Sequence, residues 1–367
     1  MNVENIKLIN FRNYDSLNIK LNEKVNIFVG KNAQGKTNLL ESIYMCALGK
    51  SFRTHRDKEI IKLGKNAAYI GANIKIGNYR KFIEIKLEKD KPKTIRVNKI
   101  ELKSFRELQS GLNVVIFSPD DLKLIKGGPG ERRNFLDTSI SQIKPVYKYN
   151  INRYNKILFQ RNNLLKSNRS KSDIISLLEV FDIQLSKIGS QIIMLRDDYI
   201  RRLSINSKEN HNNLTSGKEK LELNYVSSIH FTDKSKSVIE KNFFQQLKDN
   251  INRDLRAGTT SIGPHRDDME IKLNGMDART FASQGQQRTI VLSIKLSEVE
   301  IIKEERGLYP VLLLDDVFSE LDIERRSYLT RSFNHMQTII TSTDIIDLEE
   351  LKGIDKSVFH IEKGQII

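Results

Sequence analysis

Residues 30–37 read Gly-Lys-Asn-Ala-Gln-Gly-Lys-Thr, a spacing of glycine, lysine and threonine suited to gripping the tail of a nucleoside triphosphate. Gly30 and Gly35 let the backbone turn tightly, so that the N–H groups of Lys31, Asn32, Ala33, Gln34 and Gly35 can converge on phosphate oxygens. Lys36 brings a point charge to the β- and γ-phosphates, and Thr37 a hydroxyl for a magnesium ion. The apolar run Val25, Ile27, Phe28 and Val29 predicts a strand before the loop. Residues 38–48 predict a helix after it, whose N-terminus adds a partial positive charge. The expected ligands are ATP or GTP and Mg2+.

A second chemical element lies far along the chain. Pro310-Val-Leu-Leu-Leu-Asp315-Asp316 is an apolar strand ending in two carboxylates. A strand apolar on both faces belongs in the middle of a parallel sheet, whose ligands sit beyond the carboxyl ends of the strands. There Asp315 can hold magnesium opposite Thr37, and Asp316 can orient and deprotonate an attacking water. The bland alternative makes Asp316 or Ser319 the N-cap of the next helix. A third element, Phe281-Ala-Ser283-Gln284-Gly285-Gln286-Gln287-Arg288, directly precedes a long helix and offers a second anion-binding terminus. One nucleotide does not need two such termini from one chain. Either Ser283 and Gly285 of one copy meet the γ-phosphate held by another, in a head-to-tail ATP-dependent homodimer, or Ser283 is a simple N-cap.

These elements need a frame. The 367 residues carry 61 basic and 46 acidic side chains, a formal charge of +15, which favours a polyanionic partner, nucleic acid first. Apolar residues at 38% give an ordinary soluble composition. Cys46 is the sole cysteine, so no intrachain disulfide can form. No secretion pattern opens the chain and no apolar run reaches membrane-spanning length, so a cytoplasmic location without a membrane partner is expected. The first hundred residues alternate like strands separated by short polar turns. From about residue 120 the texture becomes helical, with long helices expected at 131–166 and 173–204, a polar surface loop at 206–220, and most of the positive excess in this section. Strand, hairpin and helix patterns then return, with a favoured turn at Asn274-Gly275. Because the loop at 30 and the strand at 311 must share one sheet, the helical section is an insertion. The expected division is an ATPase head from 1–118 and 258–367, with a mainly helical lobe or short arm at 119–257.

Together, residues 30–37, Ser283–Gln286, Leu314-Asp315-Asp316 and Ser319-Glu320-Leu321-Asp322 resemble the ABC-type P-loop ATPase head, an α/β fold with mixed sheets around the loop helix. Ser-Gln-Gly-Gln stands where that superfamily has Ser-Gly-Gly-Gln, and 319–322 matches its D-loop. Over its whole length the chain is similar to the RecF family of bacterial recombination-repair proteins, related to Rad50 and SMC. The resemblance is carried by Asn10-Phe-Arg12-Asn13-Tyr14, Phe117-Ser-Pro-Asp-Asp-Leu122, Arg132-Arg133-Asn-Phe-Leu-Asp137 and Gly263-Pro-His265-Arg266-Asp-Asp268, with the Ser-Gln-Gly-Gln segment. It implies ATP-dependent dimerisation, binding to single-stranded or gapped DNA, recombinase loading with RecR and RecO, and a part in the SOS response. It also adds Arg12 and Asn13 to the nucleotide-contacting set. His265 and Arg266 fall in a family block with two readings open, a buried structural pair or a contact to DNA or nucleotide. The loop glutamine of ABC heads has no clear counterpart; residues 118–121 stand where it would be.

Lys123, Lys126, Arg132 and Arg133 cluster where the helical section begins. They are the DNA-binding candidates, expected to meet phosphates without reading sequence, so that binding weakens steeply with salt. The competing assignment is the soluble ATPase subunit of a membrane ABC transporter, which usually lacks a long basic helical insert. Two departures from transporter-type heads matter. Thr343 falls where those heads carry a histidine; it can hydrogen-bond a phosphate but cannot act as an imidazole. Asp316 replaces the usual general-base glutamate with a carboxylate one methylene shorter. Turnover is therefore expected to be slow and DNA-stimulated, with ATP serving as a dimer switch. A steady-state phosphate-release assay checks this, and a fast rate indifferent to DNA would contradict it.

Overall fold

The computed structural model describes residues 1–103, 108, 111–318, 321–343, 351 and 353–367. The D-loop residues Ser319 and Glu320 thus lie outside the described residues. The chain forms two compact units, one from residues 1–121 with 295–367 and the other from 122–294. The sequence places these divisions at 118/119 and 257/258. The later return has a physical cause: Asp268–Leu273 pairs along its full length with Leu221–Val226, which keeps the chain after residue 258 within the helical unit.

In the first unit, five parallel strands run in the order Lys356–Glu362, Val25–Val29, Thr338–Ser342, Val311–Asp315 and Val114–Phe117, with Gln365–Ile366 antiparallel at one edge. Every residue of Val25–Val29 and Val311–Asp315 is buried, as two-sided coverage of a parallel sheet requires. Thr338–Ser342 lies between these two, so the loop and the acidic strand end share one sheet edge. The pairings Asp315 with Thr341 and Ser342 with Val29 fix that alignment. An antiparallel sheet of Tyr14–Lys20, Asn2–Phe11, Ala67–Ile76, Tyr79–Glu88, Lys91–Val97 and Ile100–Glu101 supplies the other layer. Between the layers runs the loop helix, Lys36–Leu48. Residues Leu39 to Ala47 are all buried, so this helix has no solvent face, and its apolar side chains share one core with Ile6 and Ile70 of one sheet and Phe28 and Leu313 of the other. Cys46 is part of this core, and burial pushes its thiol up to about 12.

The second unit is mainly helical. The helix expected at 131–166 is two, Pro129–Ile143 and Pro145–Leu165, because Lys144 precedes a proline and is extended (φ −121°, ψ 96°). The polar loop expected at 206–220 is for most of its length helix: Lys171–Leu214 is one 44-residue element. Its last turns escape pattern reading because their inward positions are polar, with Ser207, Asn210 and His211 buried. The chain leaves the helix through Ser216 and Gly217, both left-handed, and the hairpin turn forms at Asn274 (φ 53°) and Gly275 (φ 79°).

Buried ion pairs stitch these helices. Arg161, with no exposed surface, donates to Asp182 (2.7 Å), Asp254 (2.7 Å) and Thr260 Oγ1 (2.9 Å). Arg196 donates to Asp137 (2.7 Å), Tyr147 Oη (2.8 Å) and the Pro264 carbonyl (2.6 Å). Breaking one such buried partner leaves a charge uncompensated, at a cost of about 3–5 kcal/mol. Gly263 sits in the same network at φ 123°, and a Cβ there would lie 2.4 Å from Tyr154 Oη and 2.8 Å from the Phe243 ring. Gly263→Ala is therefore expected to lower stability by about 2–4 kcal/mol in urea or thermal unfolding, from strain plus overpacking. A variant as stable as the parent would contradict this packing.

Candidate nucleotide-binding site

The loop at 30–37 is held from several sides. A Cβ on Gly30 would lie 2.3 Å from the Ile361 carbonyl oxygen, so only glycine fits. Gly35 (φ 119°) and Ala33 (φ 64°) are both left-handed. Asn13 Nδ2 and the Gly364 N–H donate to the Gln34 carbonyl (2.7 and 3.0 Å), Tyr14 Oη to the Gly35 carbonyl (2.9 Å), and the Lys363 N–H to Gln34 Oε1 (2.6 Å). Gly35 is the N-cap of the loop helix and no side chain caps it, which leaves the helix terminus open to an anion. Lys36 is 4% exposed; its ammonium donates to the carbonyls of Gly30 (2.6 Å) and Lys31 (3.3 Å) and lies 3.9 Å from Asp316.

The strand-end carboxylates meet this loop. Thr37 Oγ1 donates to Asp315 Oδ1 at 2.8 Å, and Thr341 Oγ1 donates to the same oxygen at 3.0 Å. Burial raises the Asp315 pKa above the ordinary carboxylate range, opposed by the two hydroxyls. Thr341 Oγ1 also accepts the Asp316 N–H (2.9 Å), fixing a residue whose φ of 53° few L side chains adopt. Asp316 is not the next helix's N-cap: Ile323–Thr330 is capped by Asp322, which accepts the Arg325 N–H. No group of three or more His, Cys, Asp or Glu among the described residues could hold a metal alone. One hydroxyl and one carboxylate 2.8 Å apart instead suit a magnesium ion that keeps water and phosphate oxygens as its other ligands.

Arg12 acts on the loop through another group, whereas Asn13 holds the Gln34 carbonyl directly. Arg12 forks onto the fully buried Glu41 of the loop helix (2.8 and 2.6 Å) and donates to the Glu59 carbonyl (2.7 Å). Asn13 accepts from Asn38 (2.8 Å), which accepts from Arg53 (2.6 Å). Sequence reading missed Asn38, Glu41 and Thr341. The first two belong to the helix that follows the loop, and Thr341 carries the contact to Asp315 two residues before Thr343, which lies beyond the strand end and is half-buried. Residues 118–121 contain no glutamine. Ser118 donates from its backbone and hydroxyl to Asp121 (2.7 and 3.1 Å), whose other oxygen meets Lys295 at 3.0 Å.

In the helical unit, Ser283 is exposed and caps the helix Gln284–Arg306 reciprocally. The Gln286 N–H donates to Ser283 Oγ (3.3 Å), and the Ser283 N–H donates to Gln286 Oε1 (2.8 Å). The N-cap geometry is thus present, and it leaves Gly285 with open space where a Cβ would stand. Of the four cationic candidates near residue 130, Lys123 and Lys126 are exposed. Arg132 is not a surface cation: it is buried, and its guanidinium is bidentate to Asp268 (2.7 Å to each oxygen). Arg133 is half-buried, donates to the Asp267 carbonyl (2.8 Å), and has its pKa lowered by burial. The sequence shows a basic cluster; the fold brings Arg132 an acidic partner from 136 residues away.

The profile of the RecF/RecN/SMC N terminal domain family matches residues 2–364. The protein described as DNA replication and repair protein RecF from Alkaliphilus oremlandii is 48% identical over 367 residues, covering all of both chains. A solved structure described as the recombination mediator protein RecF-ATP in the RecFOR pathway is 37% identical, with a TM-score of 0.91, covering 100% of this chain and 98% of its own. An Smc head domain from Pyrococcus furiosus, 16% identical with a TM-score of 0.57 over 100% of this chain and 95% of its own, shares the fold alone. The architecture is accordingly the ABC-type head of the SMC and RecF group, with a helical insertion.

His265 and Arg266 lie inside the helical unit. His265 Nδ1 meets Tyr154 Oη (2.8 Å) and its Nε2 the Thr260 carbonyl (3.1 Å), which also accepts from Arg266 (3.2 and 3.0 Å). Burial, aided by the nearby Arg266, Arg133 and Arg161 charges, lowers the His265 pKa from 6.5 to about 4. The unfolded chain then binds the extra proton first as pH falls, so this residue's stability contribution is intact above pH 6.5 and declines towards pH 4. The loss approaches about 3 kcal/mol. Unfolding measured at several pH values should show that decline in the parent and a shallower one in His265→Gln. Equal slopes would contradict the burial of a neutral imidazole.

Proposed function

We propose, from the premise that this chain belongs to the RecF family within the RecF/RecN/SMC group, that it is an ATP-switched DNA-binding protein of recombinational repair and replication. The observation that carries the reading is the 2.8 Å contact of Thr37 with Asp315, which joins the phosphate loop to a carboxylate from the far end of the chain. Backbone amides of residues 31–35 and the Lys36 ammonium bind the triphosphate. Thr37 and Asp315 hold magnesium, which when bound neutralises charge on the β- and γ-phosphates. Asp316, beside Lys36 and fixed by Thr341, orients the attacking water. Arg12 and Asn13 brace the loop, and Thr343, beyond the end of Thr338–Ser342, would contact the phosphate where transporter heads have histidine.

A second copy completes the site. The exposed Ser283 and Gly285 and the half-buried Gln286 of one protomer cap the γ-phosphate held by the other, so ATP joins two copies into a dimer. A similar protein solved as RecF-ATP supports ATP as the nucleotide. DNA is bound through phosphates, without base readout, by a basic surface that includes Lys123 and Lys126, while Arg132 and Arg133 shape that region from within. RecR and RecO are the partners, recombinase loading at gaps the outcome, SOS induction a consequence, and the cytoplasm the location. No helix among the described residues is long and apolar enough to cross a membrane, and family membership displaces the transporter-subunit alternative.

Sedimentation with and without ATP tests this. The parent should dimerise with ATP, and Ser283→Arg should stay monomeric with an unchanged melting temperature. Lys36→Ala should bind ATP about 10- to 100-fold more weakly, the loss of a charge-assisted contact. A parent that remains monomeric at saturating ATP, with DNA present, would overturn the switch.

A further inference from the structure

The Ser283 turn is anchored by groups that the nucleotide chemistry does not use. Gln286 Oε1 accepts the Ser283 N–H, which fixes the carboxamide so that its Nε2 points the other way, to Glu219 Oε1 at 2.8 Å. The second oxygen of Glu219 meets His211 Nε2 at 3.1 Å, and His211 Nδ1 meets Ser293 Oγ at 3.1 Å. Ser293 gives its own proton to the Thr289 carbonyl (2.7 Å), so His211 Nδ1 is the donor in that contact. The facing pair, His211 Nε2 and Glu219 Oε2, is joined by a hydrogen bond at the other end of the ring. His211 has no exposed surface and lies in the last turn of the 44-residue helix, whereas Gln286 and Ser293 lie on the helix that Ser283 caps. A series of hydrogen bonds thus runs from Ser283 to Ser293 through the end of the long helix, starting and ending on one helix.

We infer that Glu219, held by His211, is a positioning residue that orients the Gln286 carboxamide and with it the Ser283 hydroxyl for the partner protomer's nucleotide. This inference rests on the shared-site reading above. Orientation matters because a donor serves a developing or transferred charge only when it is aimed before the charge arrives. A capping box alone does not aim the turn, since glutamate at the Gln286 position makes the same box and is favoured in the first helical turn. The link to Glu219 needs a donor there, and only the amide supplies one. The contact also gives the end of the long helix a physical handle on the turn: a shift of His211 moves Glu219, and Glu219 moves Gln286.

The test exploits that asymmetry. Gln286→Glu keeps the capping box and places a carboxylate against Glu219. It should stay folded at the assay temperature with a melting temperature only modestly below the parent's, while the protein concentration needed for half-dimerisation at saturating ATP should rise at least about 10-fold, the scale of one lost charge-assisted hydrogen bond plus repulsion. Adding Glu219→Gln restores a donor–acceptor pair with the roles reversed and should return most of the dimerisation, although the added charge at position 286 is still present. Rescue therefore separates orientation from simple repulsion of the nucleotide. Dimerisation of Gln286→Glu equal to the parent, or a double variant as weak as Gln286→Glu alone, would overturn the inference while leaving the shared site standing, provided Ser283→Arg still blocks dimerisation. A parent that never dimerises with ATP would overturn both.

Discussion

One contact organises the first unit: the hydroxyl of Thr37, at the start of the loop helix, against the carboxylate of Asp315, at the end of a strand formed 278 residues later. Everything around it serves to hold two distant chain segments at hydrogen-bond distance. The parallel sheet aligns the strand ends through Thr338–Ser342, and Thr341 from that central strand shares the Asp315 oxygen and fixes Asp316. The loop helix is buried on all sides between two sheets, so it cannot slide without disturbing both. Arg12 ties that helix to the antiparallel layer through Glu41. Burial leaves Asp315 with a raised proton affinity despite its two hydroxyl donors, and a cation at the same oxygen would offset it further.

The helical unit is held by a different principle. Its apolar seams are supplemented by buried guanidinium–carboxylate pairs, with Arg161 and Arg196 each joining elements far apart in sequence. Such pairs contribute little net stability compared with apolar packing, but they are specific, because any other arrangement leaves a buried charge alone. The block at 263–268 supplies much of this network: Pro264 receives Arg196, Asp268 receives Arg132, and Asp267 accepts from Tyr225 and Ser228. That is a structural use for a block whose His265 and Arg266 left two readings open in the sequence, a buried structural pair or a contact to DNA or nucleotide. The turn at Ser283 belongs to the same polar economy, with its cap extended through Gln286 to Glu219 and His211.

The parts legible in the sequence are those with strong local rules. The phosphate loop is announced by glycine spacing, the acidic-ended strand Val311–Asp315 by four consecutive apolar residues, and the hairpin by Asn274-Gly275, where positive φ is needed twice. What escaped reading depends on long-range partners. The last turns of the 44-residue helix look like a polar loop because their buried faces carry serine, asparagine and histidine whose partners come from elsewhere. Arg132 looks like a surface cation until Asp268 is brought beside it. Thr341 and Thr343 are indistinguishable by type, and only strand register decides which one faces Asp315. Periodicity reports which face is apolar; it is silent on which polar groups will find one another.

The direct probe of the Thr37–Asp315 arrangement is a double-mutant cycle on ATP affinity, using Thr37→Ala, Asp315→Asn and their combination, titrated with magnesium and with chelator. If both side chains hold one ion, each single variant weakens ATP binding about 10-fold or more with magnesium present, and the double variant is no worse than the weaker single. With chelator the three should bind ATP alike. Additive losses in magnesium, or unchanged affinity in either single variant, would contradict a shared metal at this contact.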